Sequence, residues 1–301
     1  MENQISILFD VYHLYHLAQF DPLIDLLEED NRFKIFFSTS SKNRKEEIEI
    51  CTSILNKRKG SFIFHENEDI RKTEIKKLNL DVFICGWSRY EIESYVSKTT
   101  LVIMIYHGIG VKPSYWRDNN KRLDVRFVEG QYRMDQLRKH GVDTDLVLTG
   151  YIKLDSLFNE NSNYFKEKEE LLGLDESRKT ILYAPTFYPS SLEKLGLSLG
   201  DITSDYNLII KPHMWTYYLD SFGGISLKGQ RKLIFKLIDQ FDHIRLLEPA
   251  EYNVTPYYKI SDLLLTDASS TIYEMIALSK PVVVNRFYHL KLSHRIFQKR
   301  L

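Results

Sequence analysis

The chain reads as an α/β protein built from two parallel-sheet domains. Three observations predict this. Short, continuous apolar runs recur along the whole sequence, longer amphipathic segments separate them, and 301 residues are enough for about two domains of ordinary size. Strands that are apolar at successive positions are those covered on both faces, as parallel strands flanked by helices are.

ISILF (5–9) reads as a buried strand, and 12–29, with apolar residues at mixed three- and four-residue spacing, as a helix. FKIFFS (33–38) is a second strand, followed by a charged helix near 43–57. FIFH (62–65), DVFICGW (81–87) and TLVIMIY (100–106) are further strands with helical segments between them. VRFVE (125–129) leads into the helix QYRMDQLRKH, which Gly141 stops. In the second half LVLTG (146–150), TILYAP (180–185), YNLIIK (206–211), IRLLE (244–248), DLLLT (262–266) and PVVVN (281–285) read as strands. Helices fill 163–172, 226–241 and 270–279. Two such blocks are Rossmann-like domains whose sheets face a cleft. The expected division is 1–148 and 149–301, with a hinge near 145–165.

Composition narrows the function classes. The chain is 43% hydrophobic and 27% charged, the balance of a soluble globular protein. Lys and Arg together number 41, as do Asp and Glu, so no net charge argues for nucleic-acid binding. Cys51 and Cys85 make neither a disulfide framework nor a zinc site, which fits a reducing cytosol. The N-terminus lacks the basic start and unbroken apolar run of a signal peptide. No stretch reaches the roughly 18 apolar residues of a membrane span. No metal site is expected; Asp143 and Asp145 read as surface. The first strand is followed by DVYH rather than a Gly-rich nucleotide loop, which argues against a simple dehydrogenase or ATPase.

In parallel α/β sheets, ligands bind beyond the carboxyl ends of the strands. Five strand ends here carry polar or Gly- and Pro-punctuated segments. Thr266–Asp267–Ala268–Ser269–Ser270–Thr271 opens a helix that runs through Glu274. Small hydroxyl residues cap a helix start, and its open amides and dipole attract phosphate. Glu274, one turn in, is placed to accept from ribose hydroxyls or, alternatively, to complement the dipole. Lys211–Pro212–His213 presents a cation and an imidazole at a strand end, suited to a phosphate and its leaving group. Tyr106–His107–Gly108–Ile109–Gly110–Val111–Lys112 offers a histidine as general base beside glycines that permit close ligand approach. Thr186 after TILYAP and Lys153 after LVLTG are weaker candidates for phosphate contact, each reading first as a turn when taken alone. Each segment also has a plain structural reading as a cap or a turn; their joint occurrence favours a nucleotide-phosphate site.

Taken in order, YHGIGVK, LTGYIKLD, ILYAPT, IIKPH and LLLTDASSTIYEM–IALSKPVVV resemble the CDP-glycerol glycerophosphotransferase family of teichoic-acid and related surface-polymer enzymes, over about residues 100–285. The resemblance implies the two-domain glycosyltransferase-B fold, with an acceptor-side first domain and a nucleotide-binding second one. It also implies transfer of an alditol phosphate (glycerol or ribitol) from a CDP-alditol to a hydroxyl of a cell-surface polymer or lipid-linked acceptor, with release of CMP. By that match His107 is the general base and His213 assists the phosphate. Ser269 and Ser270 contact the diphosphate, with Thr266, Asp267 and Thr271 around them, and Glu274 stands near the ribose. Gly108, Lys112, Lys153, Thr186 and Lys211 complete the substrate-binding set. No tightly bound cofactor is implied, only the CDP-alditol donor.

The chain departs from the family pattern at Ile109 and Gly110, where Thr–Pro usually follows His–Gly. Phe187–Tyr188 stands where an aromatic and an arginine are common, Ala268 where a tyrosine is, and Lys153 where an arginine is frequent. Two other functions share the same features. One is a nucleotide-sugar glycosyltransferase or epimerase; the other is a non-catalytic nucleotide- or polymer-binding domain. A cytoplasmic location is expected, with peripheral contact at the inner face of the membrane as an option for the basic stretch HLKLSHRIFQKRL (289–301).

Overall fold

The computed structural model describes residues 4–110, 112–159 and 162–285. Two compact units divide between Asn159 and Glu160, later than the expected 148/149. The later division has a local cause: a 3-10 turn, Ile152–Leu154, packs on a helix of the first unit, and the Gln19 side chain donates to the Tyr151 hydroxyl at 3.1 Å.

The first unit runs β1 (Ile5–Asp10), α1 (Leu14–Glu28), β2 (Phe33–Ser38), α2 (Lys45–Leu55), β3 (Ser61–Ile63), α3 (Glu68–Lys77), β4 (Val82–Cys85), β5 (Leu101–Ile105), α4 (Ser114–Arg117), β6 (Val125–Val128), α5 (Gln131–Lys139), β7 (Asp145–Leu148) and α6 (Ser156–Asn159). Its seven strands form one parallel sheet in the order β3-β2-β1-β4-β5-β6-β7. The core holds Leu8, Phe83, Cys85, Val102 and Met104 from the central strands with Ile75 and Leu137 from the covering helices. That is the burial the continuous apolar runs predict. The order reverses between β1 and β4, the kind of switch point where α/β sheets open a crevice. The register brings Asp10 level with Cys85, and Cys85 level with Met104. The chain therefore leaves β1, β4 and β5 at nearly one height. Beneath that edge, fully buried Arg71 bridges Asp10 (3.0 Å) and Glu68 (2.6 Å), and Tyr95 donates to Glu68.

The second unit runs α7 (Ser162–Leu172), β8 (Thr180–Ala184), α8 (Leu192–Leu195), α9 (Ser198–Ile202), β9 (Asn207–Ile210), α10 (Met214–Tyr218), β10 (Ser221–Phe222), β11 (Ile225–Ser226), α11 (Leu227–Gln240), β12 (Ile244–Leu246), α12 (Thr255–Ile260), β13 (Leu263–Thr266), α13 (Thr271–Ile276) and β14 (Val282–Val284). Its parallel sheet has the order β12-β9-β8-β13-β14 and switches between β8 and β13. Two apolar clusters cover its faces, one around Leu182, Ile209 and Leu264, the other around Tyr183, Leu208 and Ile210. The antiparallel hairpin β10–β11 is absent from the sequence reading; its strands have two residues each, too short for a period to register.

The α/β class and both parallel sheets are as the sequence predicts. The last helix is shorter. In place of 270–279 it spans six residues, because Ser279 turns into the left-handed region (φ 57°) ahead of Lys280 and Pro281. The stretch 289–301 lies outside the described residues.

Candidate functional site

In the second unit, the predicted phosphate-binding segments meet at the switch point. Ala184 and Thr266, the last residues of β8 and β13, are register partners. Thr266 Oγ1 donates to the Ala184 carbonyl at 2.6 Å and lies 3.2 Å from Thr271 Oγ1. Asp267 is buried, and its Oδ2 accepts the Thr186 amide (2.9 Å) and the Ser191 amide (3.2 Å). Burial raises its carboxyl above the usual value. Thr266 and Asp267 therefore act as braces that tie the loop after β8 to the turn after β13. Replacing Thr266 by Val removes the bond to Ala184 and lowers the second unit's stability by about 1 kcal/mol. An unchanged chemical-denaturation midpoint would refute the brace.

The turn itself is more open. Ala268 is exposed, and Ser269 and Ser270 are partly exposed. Ser269 Oγ accepts the Thr271 amide at 3.4 Å, whereas Ser270, at the cap position, makes no side-chain cap bond. Because α13 is only six residues long, the turn presents hydroxyls and local amides rather than the end of a long dipole. Glu274 is not brought to the surface with the serines. It is buried and accepts the Tyr258 hydroxyl at 2.8 Å.

The Lys–Pro–His segment divides in the same way. Lys211 is buried under α10, with Nζ 3.9 Å from Met214 Sδ and over the Tyr217 ring. Burial depresses its ammonium to about 8 against the opposing pull of Glu251 and Glu248. His213 sits above it as the N-cap of α10, and its Nδ1 accepts the Trp215 amide at 3.1 Å. A nitrogen that accepts carries no proton, so the neutral ring holds its proton on Nε2. The ring packs against Phe187, which follows Thr186 in the loop after β8 (centroids 4.7 Å apart). Thr186, His213 and the 268–271 turn thus share one carboxyl edge.

In the first unit, His107 leaves β5 and directs Nδ1–H to the Gly86 carbonyl at 2.9 Å. Its Nε2 therefore bears the lone pair, the opposite tautomer to His213. Burial is the main cause that pushes His107 down to about 4; Lys112, His13 and Arg89 add to it and the Gly86 bond opposes it. The ring is neutral at pH 7. Gly108 is buried beside it, and Lys112 is exposed further along the loop. Lys153 is buried in the turn packed on α1 and falls within the first unit.

Sequence reading missed the neighbours of His107. His13, the N-cap of α1, sets Nδ1 3.2 Å from Glu47, which also accepts the Leu14 amide. His16 is fully buried with its ring 4.8 Å from that of His107. Gln19 Nε2 lies 3.4 Å from the His107 carbonyl. The available signal was DVYHLYHLAQ directly after β1, where the same strand-end rule applies. Among the described residues no cluster of three or more His, Cys, Asp or Glu is arranged to hold a metal.

Two parallel α/β units, each with polar residues gathered at the carboxyl ends around its switch point, define a protein of the glycosyltransferase-B type. A wall teichoic acid polymerase, TagF, has the same fold, with a TM-score of 0.61 at 17% identity over 92% of this chain and 69% of that one. A Staphylococcus aureus protein, MnaA, solved with UDP, follows at 0.59 and 16%, over 94% and 79%. The family model for CDP-glycerol:poly(glycerophosphate) glycerophosphotransferases matches residues 128–289, just over half of the chain. The chain belongs to that family. Among curated relatives, a teichoic acid poly(glycerol phosphate) polymerase of Bacillus spizizenii is 29% identical over 147 residues, covering 45% of this chain and 33% of that protein. A teichoic acid glycerol-phosphate primase of the same organism is 23% identical over 268 residues, covering 80% and 60%. The chain thus spans about a third of the polymerase and less than two thirds of the primase.

Proposed function

We propose that this chain transfers glycerol phosphate from CDP-glycerol to a hydroxyl of a teichoic-acid-type polymer or of its lipid-linked acceptor. Family membership supports the reaction class. The observation that supports this chemistry within the chain is the pair of opposite tautomers. His107 offers an Nε2 lone pair, fixed by Nδ1–H on Gly86, and His213 offers Nε2–H, fixed by Nδ1 on the Trp215 amide.

In this reading His107 Nε2 takes the proton of the acceptor hydroxyl. The acceptor oxygen bonds to the glycerol-bearing phosphorus as the diphosphate P–O bond on the opposite side breaks. CMP departs with the electron pair. Its charge is met by His213 Nε2–H and by the Ser269–Ser270 turn. Thr266 and Asp267 hold that turn, and Lys211 supports the segment that carries His213. The donor is a substrate, and the reaction calls for no tightly bound cofactor. Among the described residues no helix is long and apolar enough to cross a membrane. A lipid-linked acceptor would bring the chain to the inner membrane face as a peripheral visitor.

The test is CMP release with CDP-glycerol, CDP-ribitol or a UDP-sugar, each with and without a glycerol-phosphate oligomer. The expected result is acceptor-dependent CMP release from CDP-glycerol. UDP release would move the chain to nucleotide-sugar chemistry. Donor binding without any release would make it a non-catalytic binding domain.

A further inference from the structure

We infer that His16 is a positioning residue for His107: its buried ring is the backstop that holds the His107 imidazole with Nδ1–H on the Gly86 carbonyl. The inference rests on the reading of His107 as the general base.

The geometry joins three strand ends. His16 lies in the first turn of α1, just beyond β1; Gly86 is the first residue beyond β4; His107 lies beyond β5. The His16 and His107 ring centroids are 4.8 Å apart at an interplanar angle of 31°. Gly86 serves both rings. Its carbonyl accepts from His107, and its missing side chain leaves room for His16, since a Cβ there would fall 2.7 Å from His16 Cγ and 3.1 Å from its Cβ. Those are the inner atoms of a side chain with no exposed surface, so they have no cheap way to yield.

His16 acts through its face rather than its nitrogens. Neither ring nitrogen has a hydrogen-bond partner, so the ring has no one to pass a proton to. Burial, with His107 and His13 nearby, keeps it neutral. The other groups facing His107 are the Tyr15 ring at 5.5 Å, His13 with its Glu47 partner, Lys112 and Arg89.

The experiment uses the full chain and compares CMP release from CDP-glycerol and a glycerol-phosphate oligomer by H16A, H16F, G86A and H107A. H16A and G86A should each lower kcat by about tenfold to a hundredfold, with donor KM changed by less than about twofold, since a misplaced base loses orientation rather than substrate binding. H16F keeps the ring face and should restore kcat to within about threefold of the native chain. In H16A the void relieves the burial of His107, so the acidic limb of the kcat/KM profile should move up from about 4 toward the ordinary 6.5.

Two results overturn the inference. In one, H16A and G86A keep native kcat and profile. In the other, H16F is as impaired as H16A, which would make the nitrogens the working part. Imidazole nitrogen NMR reads the His107 tautomer directly and does not depend on turnover. It should show Nδ1–H in the native chain and H16F, and a mixture in G86A. If H107A keeps normal turnover, the base reading fails, while the tautomer comparison still decides whether His16 holds that ring. If H16A does not fold, G86A and H16F decide by the same two measurements.

Discussion

Replacing His107 by Ala lowers turnover by about a hundredfold to ten-thousandfold, the usual contribution of a general base. Donor affinity should change little, because the proposed function assigns the diphosphate to residues of the second unit. The pH dependence is the sharper reading. The folded-state value of about 4 lies below the ordinary 6.5, so the Nε2 lone pair survives well below neutral pH. The acidic limb of kcat/KM should fall as pH drops through about 4. A limb at 6.5 would mean that the buried geometry around Gly86 and His16 is absent in solution. The same shift sets a stability slope. Between pH 6.5 and 4 the unfolded chain binds a proton at this histidine and the folded chain does not. Stability therefore falls as pH drops through that window, and the Ala variant should lose this part of the slope. Thermal unfolding across pH 4 to 7 measures it.

Replacing His213 by Asn separates its two roles. Asn is a good N-cap and its side-chain oxygen can accept the Trp215 amide, so α10 keeps its start. The Nε2–H is gone. Turnover should fall by about a hundredfold to a thousandfold, the size of losing one donor to a developing anion. The melting temperature should stay within about 1 °C of the native value, an allowance of well under 1 kcal/mol. His213→Ala loses the cap as well, and with it a further ~1 kcal/mol of stability. An Asn variant with native turnover would remove His213 from the chemistry and leave it a cap.

The fold was legible because its signal is local. Continuous apolar runs such as ILF, LVIMI and LLL can be buried only as covered strands, and the intervening amphipathic segments can only be their helices. The positions of the site segments were legible for a related reason. A parallel sheet sends its ligand-binding residues beyond the carboxyl ends, so Thr186, His213 and Ser269–Ser270 could be placed at a common edge from strand order in the sequence alone.

What each side chain does at that edge was less legible, since it depends on which neighbour arrives from elsewhere in the chain. Glu274, expected near a ribose, is buried and accepts the Tyr258 hydroxyl. Asp267, expected as a ligand contact, holds through Oδ2 the amides of Thr186 and Ser191, some eighty residues earlier. Lys153, expected with the nucleotide, is buried in the first unit.

By itself, then, the sequence determined two parallel α/β sheets, the polar segments at their strand ends, and the family to which the motifs point. Tertiary structure decided tautomers and burial. Whether His107 offers a lone pair or a proton depends on the Gly86 carbonyl, 21 positions away in the chain. How far its proton affinity falls depends on desolvation by rings that no local pattern announces. Periodicity is a property of neighbours along the chain, whereas proton placement is a property of neighbours in space.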